Sequence, residues 1–134
     1  MKYSASREWV EVESHSGSRD DRGNHMPMTA RVGITHIAQK ELGNIVYVEL
    51  PKLGSQVDKQ QEAAVLESTK AAVDVYSPVS GQIVEVNTQL VDHPELINQF
   101  PETQGWIYKI ALAEASELDQ LMDAEGYLTS LRSS

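Results

Sequence analysis

The segment from Ala64 to Val75 sorts its side chains in only one hairpin register, and this constrains the fold more than any other stretch of the chain. With Thr69-Lys70 as a two-residue turn, Ser68 faces Ala71, Glu67 faces Ala72, Leu66 faces Val73, Val65 faces Asp74 and Ala64 faces Val75. Ala64, Leu66, Val73 and Val75 then share one apolar face, while Glu67 and Asp74 fall on the other, as a half-buried sheet requires. A slip of one residue destroys the sorting. The tip itself is poor turn chemistry, because two-residue hairpin loops favour Asn-Gly or Asp-Gly, whose residues tolerate positive φ. A broken local rule marks a candidate for function, and here it coincides with a lysine carried into solvent on a rigid platform. On geometry alone the favoured reading of Lys70 is an ordinary solvated lysine in a loose turn. No neighbour makes it a catalytic amine, since Glu67 favours its charged form.

The flanking periodicity is that of short strands. Glu8 to Glu13 alternates and Thr29 to Ile34 is a return strand, which makes a hairpin whose long tip spans 14–29. Between Ser14 and Thr29 the chain runs through His15, Gly17, Asp20, Gly23 and His25 with no large apolar residue before Met26, and reads as an exposed loop. The two histidines read as solvated, and no metal site is expected. Thr35 is placed to cap a short helix through Leu42, with Ile37, Ala38 and Leu42 as its buried side and Gly43 as its stop. Gly43-Asn44-Ile45-Val46-Tyr47-Val48 is echoed by Gly81-Gln82-Ile83-Val84-Glu85-Val86. Two such units on either side of the central hairpin predict a mainly β, quasi-symmetric sandwich or small barrel. A C-terminal helix is expected from about 116, capped by Ser116, with Leu118, Leu121, Met122, Leu128 and Leu131 at helical spacing.

Composition removes several alternatives. The formal net charge of -9 argues against nucleic-acid binding, which needs a basic face. Residues 1 to 31 carry five basic and five acidic side chains, so the whole excess belongs to Val32 onward. With no long apolar run and no signal-type start, no membrane span is expected and a cytoplasmic location is. A length of 134 residues fits a single domain, expected to be monomeric. The chain has no cysteine, so any redox chemistry must come from an added group.

Glu67-Ser68-Thr69-Lys70-Ala71, followed by Tyr76-Ser77-Pro78-Val79-Ser80-Gly81, resembles the lipoylation segment of the glycine cleavage system H proteins, usually Glu-Ser-Val-Lys-Ala. The resemblance extends, in family order, through Glu8-Trp9-Val10, Val32-Gly33-Ile34-Thr35, Ala38-Gln39, Leu42-Gly43 and Val46-Tyr47-Val48-Glu49-Leu50-Pro51. It continues through Val84-Glu85-Val86-Asn87, Pro94-Glu95-Leu96-Ile97-Asn98, Gly105-Trp106-Ile107, Lys109-Ile110 and Glu117-Leu118-Asp119. Lipoyl domains of acyltransferases, with an Asp-Lys-Ala tip, and biotin carriers, with Met-Lys-Met, fit less well. The chain departs from the family at Glu41, where plant members have histidine, at Gln60 and Ala64, which replace common glycines, and at Thr69, which replaces valine. The loop at 14–29 is also longer than the family norm.

The resemblance implies a barrel-sandwich hybrid of two small antiparallel sheets with short peripheral helices. It implies lipoate joined to Lys70 by an amide, within the motif Glu67, Ser68, Thr69 and Ala71. The arm reaches roughly 14 Å and supplies the sulfurs that the chain lacks. In the family cycle a pyridoxal-phosphate glycine decarboxylase loads an aminomethyl group onto the arm. A folate-dependent aminomethyltransferase removes it, and dihydrolipoamide dehydrogenase restores the disulfide; a lipoate ligase or lipoyl transferase installs the arm. The chain is thus expected to be a carrier and co-substrate, not a catalyst. Family residues that contact the loaded arm correspond to Ser6, Glu8, Ile34 and Asp74. A lipoate relay, a regulatory lipoyl protein and an unmodified binding module remain as other readings of the same residues. Acylation removes one positive charge from an already acidic body, so docking onto basic partner surfaces is expected to be salt-sensitive.

Overall fold

The computed structural model describes residues 1–14 and 28–132; the long tip expected at 14–29, with His15 and His25, lies outside the described residues except at its two ends. Short strands alternate with brief helices: β1 (Lys2–Tyr3), β2 (Glu8–Ser14), β3 (Thr29–Ile34), α1 (His36–Leu42), β4 (Ile45–Glu49), β5 (Gln56–Val57), β6 (Glu62–Ser68), β7 (Ala72–Tyr76) and β8 (Gly81–Val86). Then come α2 (Gln89–Asp92), α3 (Glu95–Gln99), β9 (Tyr108–Leu112), a 3₁₀ turn at Ala115–Gln120 and α4 (Ala124–Arg132). Among the described residues these strands form two sheets, one ordered β1-β2-β3-β9-β8-β5 and the other β4-β6-β7. Every pairing is antiparallel.

Alternation along the strands sets the layers. In β3 and β9 the residues Ala30, Val32, Tyr108, Ile110 and Leu112 turn inward, while Arg31 and Lys109 turn outward. The outward residues form a charged ladder in which Arg31 pairs with Glu11 and Glu13, and Lys109 with Glu13 and Glu85. The smaller sheet contributes Ile45, Val48, Ala64, Leu66 and Val75 to the same buried cluster. Full burial of Leu66, Ile83 or Ile110 contributes about 1.5–3 kcal/mol each. Trp9 lies flat over Gly33, its partner on β3, where an added Cβ would come within 2.8 Å of the indole ring. Its Nε1 donates to the Pro101 carbonyl at 2.9 Å, so the buried indole leaves no donor unmet.

The echoed Gly-x-Ile-Val-x-Val stretches fall in opposite layers, one as β4 in the smaller sheet and one as β8 in the larger. Thr35 caps α1 by accepting the Ala38 N–H, and Gly43 ends it with φ 80°. No α1 residue is fully buried; Ala38 and Leu42 pack on the core, whereas Ile37 lines a pocket beside α4.

The C-terminal helix begins later than expected, at Ala124 and not near Ser116. Glu117 turns its carboxylate to Ser80, taking both the backbone N–H and the hydroxyl at 2.8 Å, and the segment there winds as a 3₁₀ turn. Leu121 is extended, and Met122 exchanges two backbone hydrogen bonds of 2.8 Å with Tyr3. Helix resumes where Asp123 accepts the Gly126 N–H at 2.7 Å. Tyr127 then stacks on Tyr3 at 4.9 Å and meets the Thr35 hydroxyl at 2.7 Å.

Candidate functional site

The β6–β7 hairpin has the register expected from side-chain sorting: Ala64 opposite Val75, Val65 opposite Asp74, Leu66 opposite Val73 and Glu67 opposite Ala72. Its tip avoids the positive φ that a tight primed turn would demand. Among the described residues other than glycine, only Arg7 and Gln60 have positive φ. Ser68 supplies the alternative: its hydroxyl oxygen accepts the N–H of Lys70 at 3.1 Å and of Ala71 at 3.2 Å, while its own N–H donates to the Ala71 carbonyl at 2.8 Å. A serine side chain thus replaces glycine's backbone freedom at the turn.

Behind the tip stands a second brace. The Thr69 N–H donates to the Asn44 carbonyl at 3.1 Å. Asn98 holds the residues on either side of Asn44, donating to the Gly43 carbonyl at 2.7 Å and accepting the Ile45 N–H at 2.9 Å. Gly43 also underlies the lysine stem, since a Cβ there would sit 3.7 Å from Lys70 Cε and 3.9 Å from Nζ. Thr69, Lys70 and Ala71 are exposed, as is Glu67 on the outer sheet face between Tyr47 and Ala72. Among the described residues Lys70 makes no ion pair.

On the flank of this hairpin lies an open cleft of about 320 Å³. It brings together Ser6, Glu8, Ile34 and Asp74, which three separate segments supply: the turn into β2, β3 and β7. Arg7, Ala38, Glu41, Leu42, Val73 and Val75 complete the lining. Glu8 is nearly inaccessible, at 3% exposure, yet its Oε1 accepts the hydroxyls of Ser4 at 2.8 Å and Ser6 at 2.5 Å. Burial raises the Glu8 pKa above the ordinary carboxylate range, against the opposing pull of those hydroxyls. Asp74 is exposed at the rim, and Ile34, Val73 and Val75 give the cleft apolar walls. Such a site can receive a slender chain with an apolar stem and a cationic end.

The turn that carries Ser6 is closed by the Arg7 N–H donating to the Ser4 carbonyl at 3.1 Å, with the Ser4 N–H donating to the Glu8 carbonyl at 2.9 Å. Arg7 occupies the left-handed region at φ 74°, a conformation that costs a side-chain-bearing residue about 1–2 kcal/mol. Its guanidinium pairs with Glu41. Glu41 therefore faces the cleft as half of an ion pair.

The sequence places Ser68 opposite Ala71 and in the motif around Lys70, but not as the acceptor that braces the tip, and it gives no bracing role to Asn98, Asn44 or Arg7. The Ser68 motif carried a local signal, a hydroxyl two residues before an exposed lysine. Asn98 and Arg7 act on partners far along the chain, and no local pattern announces them.

An exposed lysine on a braced hairpin tip, set in a two-layer β fold beside an open cleft, defines a carrier domain. The family described as Glycine cleavage H-protein matches residues 1–134, and the chain belongs to it. It is similar to the Glycine cleavage system H protein of Thermotoga maritima, 44% identical over 126 residues, covering 94% of this chain and 91% of that one. The protein of the same name from Pectobacterium atrosepticum is 44% identical over 131 residues, covering 98% of this chain and 92% of its own. A crystal structure of a glycine cleavage system H protein from Mycobacterium marinum superposes with a TM-score of 0.79 at 35% identity, covering 98% of this chain and 95% of that one.

Proposed function

We propose that this chain is the lipoylated carrier of a glycine cleavage system, with Lys70 as the attachment point. The observation that carries the reading is the Lys70 ammonium, exposed and free of ion pairs among the described residues, on a tip braced by Ser68 and Asn98. Lipoate on that lysine would supply the dithiolane that accepts a one-carbon unit and electrons, which a chain without cysteine cannot provide.

The protein's own groups position and shelter. Ser68 fixes the direction in which Lys70 leaves the tip, and Glu67, Thr69 and Ala71 present the exposed surface that a lipoate ligase or lipoyl transferase would read. Ile34, Val73 and Val75 exclude water along the cleft wall. Glu8, steadied by Ser4 and Ser6, and Asp74 at the rim offer carboxylates to a cationic end group. None of these residues is asked to break a bond. The chemistry belongs to the partners, glycine decarboxylase, aminomethyltransferase and dihydrolipoamide dehydrogenase, between which the cytoplasmic carrier would pass. The test is intact mass after incubation with a lipoate ligase. We expect one lipoyl addition that disappears in Lys70→Arg; an unshifted mass, or a shift surviving that substitution, overturns the reading. Glycine-dependent bicarbonate exchange with the decarboxylase then distinguishes the carrier from a lipoyl protein of other duty.

A further inference from the structure

Arg7 joins the Ser4–Arg7 turn to both ends of α1. Its carbonyl accepts the Thr35 N–H at 3.0 Å, at the helix cap, and its guanidinium pairs with Glu41, in the last turn and 34 residues away. Arg7, Glu41 and the α1 residues Ala38 and Leu42 all line the cleft that holds Ser6 and Glu8. Glycine would occupy a left-handed position without strain, but it has no side chain to reach α1. The strained backbone and the long cation serve one purpose when the turn and the helix must be held together as a single wall.

We propose that the Arg7–Glu41 ion pair is a strap that fixes the α1 wall of the cleft and thereby prolongs retention of the load on the Lys70 arm. This rests on the carrier reading above. Arg7 and Glu41 are positioning residues, acting through the wall that Ala38 and Leu42 form. Their side chains are 32% and 59% exposed, so the effect is that of a solvent-screened pair, about two- to fivefold.

The test compares Arg7→Gln, Glu41→Gln and the reversed pair Arg7→Glu/Glu41→Arg. In protein without lipoate, we expect both single variants to speed amide exchange at Gln39 and Gly43, whose N–H groups bond within α1 and at its end, by about two- to fivefold. The reversed pair should return to near the parent rate. In lipoylated protein loaded with the aminomethyl group and kept apart from the other enzymes, the same singles should lose the load to hydrolysis, in which water cleaves the thioether to the arm's thiol, formaldehyde and ammonia, about two- to fivefold faster, with the reversed pair again restored. Exchange unchanged in the singles, or not restored by reversal, overturns the strap. Faster exchange with unchanged load loss confines the pair to the fold and overturns its part in retention. Opposite effects of the two singles on load loss would mean that two separate charges act on the load, which also overturns it. A chain that takes up no lipoate fails earlier, at the intact-mass measurement, and that failure belongs to the carrier reading.

Discussion

The side-chain oxygen of Ser68 accepts the backbone N–H of Lys70 at 3.1 Å, so the lysine is aimed by its neighbour two residues upstream. Removing that oxygen leaves the tip with only the Ser68-to-Ala71 and Thr69-to-Asn44 backbone bonds. We expect Ser68→Ala to destabilise the fold by no more than about 1 kcal/mol, because water replaces the lost acceptor at an exposed turn. Lipoylation should slow severalfold, followed by intact mass over time, and Ser68→Thr should keep most of the parent rate. An unchanged rate in the alanine variant would contradict the aiming role.

Asn98→Ala strips the Gly43 carbonyl and the Ile45 N–H of their partner at once. Both bonds are partly buried, and an unmet buried polar group costs about 1–3 kcal/mol. We expect a loss of about 2 kcal/mol in denaturant unfolding. Faster amide exchange should appear at Thr69, which bonds to Asn44 between the two freed groups. A loss of stability without a change at Thr69 would separate the brace from the tip.

The raised pKa of Glu8 gives a signed pH dependence. In the unfolded chain the carboxyl loses its proton at the ordinary value; in the folded protein it does so at a higher one, because burial disfavours the anion. Between those two values the native state binds more protons, so the contribution of Glu8 to stability falls as pH rises and then levels off. The difference in stability between the parent and Glu8→Gln should therefore shift toward the variant through that window and stay flat on either side. A carbon-detected titration of the Glu8 carboxyl should place its midpoint above that of exposed glutamates. A midpoint at or below theirs would refute the burial argument.

Gln60 stands at φ 69°, a conformation that suits glycine, and its N–H donates to the Ser77 carbonyl at 2.7 Å. Gln60→Gly relieves the left-handed strain, keeps that bond, and adds freedom to the unfolded chain. The first effect slightly outweighs the last, for a net gain of about 0.5–1 kcal/mol. Thermal unfolding reads it directly, and lipoylation of Lys70 should be unchanged.

The parts legible in the sequence were those decided by near neighbours. The sorting of Ala64, Leu66, Val73 and Val75 fixed the hairpin register because one face had to be buried, and Thr35 and Gly43 bounded α1 by capping chemistry. Helical spacing from Leu118 to Leu131 predicts one continuous helix but says nothing of Tyr3, whose backbone draws Met122 out of it. The cleft divides the same way. Its members Ser6, Glu8, Ile34 and Asp74 came from the family resemblance, whereas the pairing of Arg7 with Glu41 depends on a turn and a helix meeting in space.

The union of Tyr3 with Met122 and Tyr127 closes the described chain upon itself like a belt on its buckle. The strand so fastened leads directly into Ser4 and Ser6, the two hydroxyls that steady the Glu8 carboxylate. Residues 124–132 are thereby tied, through Tyr127 and Tyr3, to the segment that supplies those hydroxyls. A fusion or truncation at that end is expected to reach the cleft through this fastening, even though α4 lines no part of it.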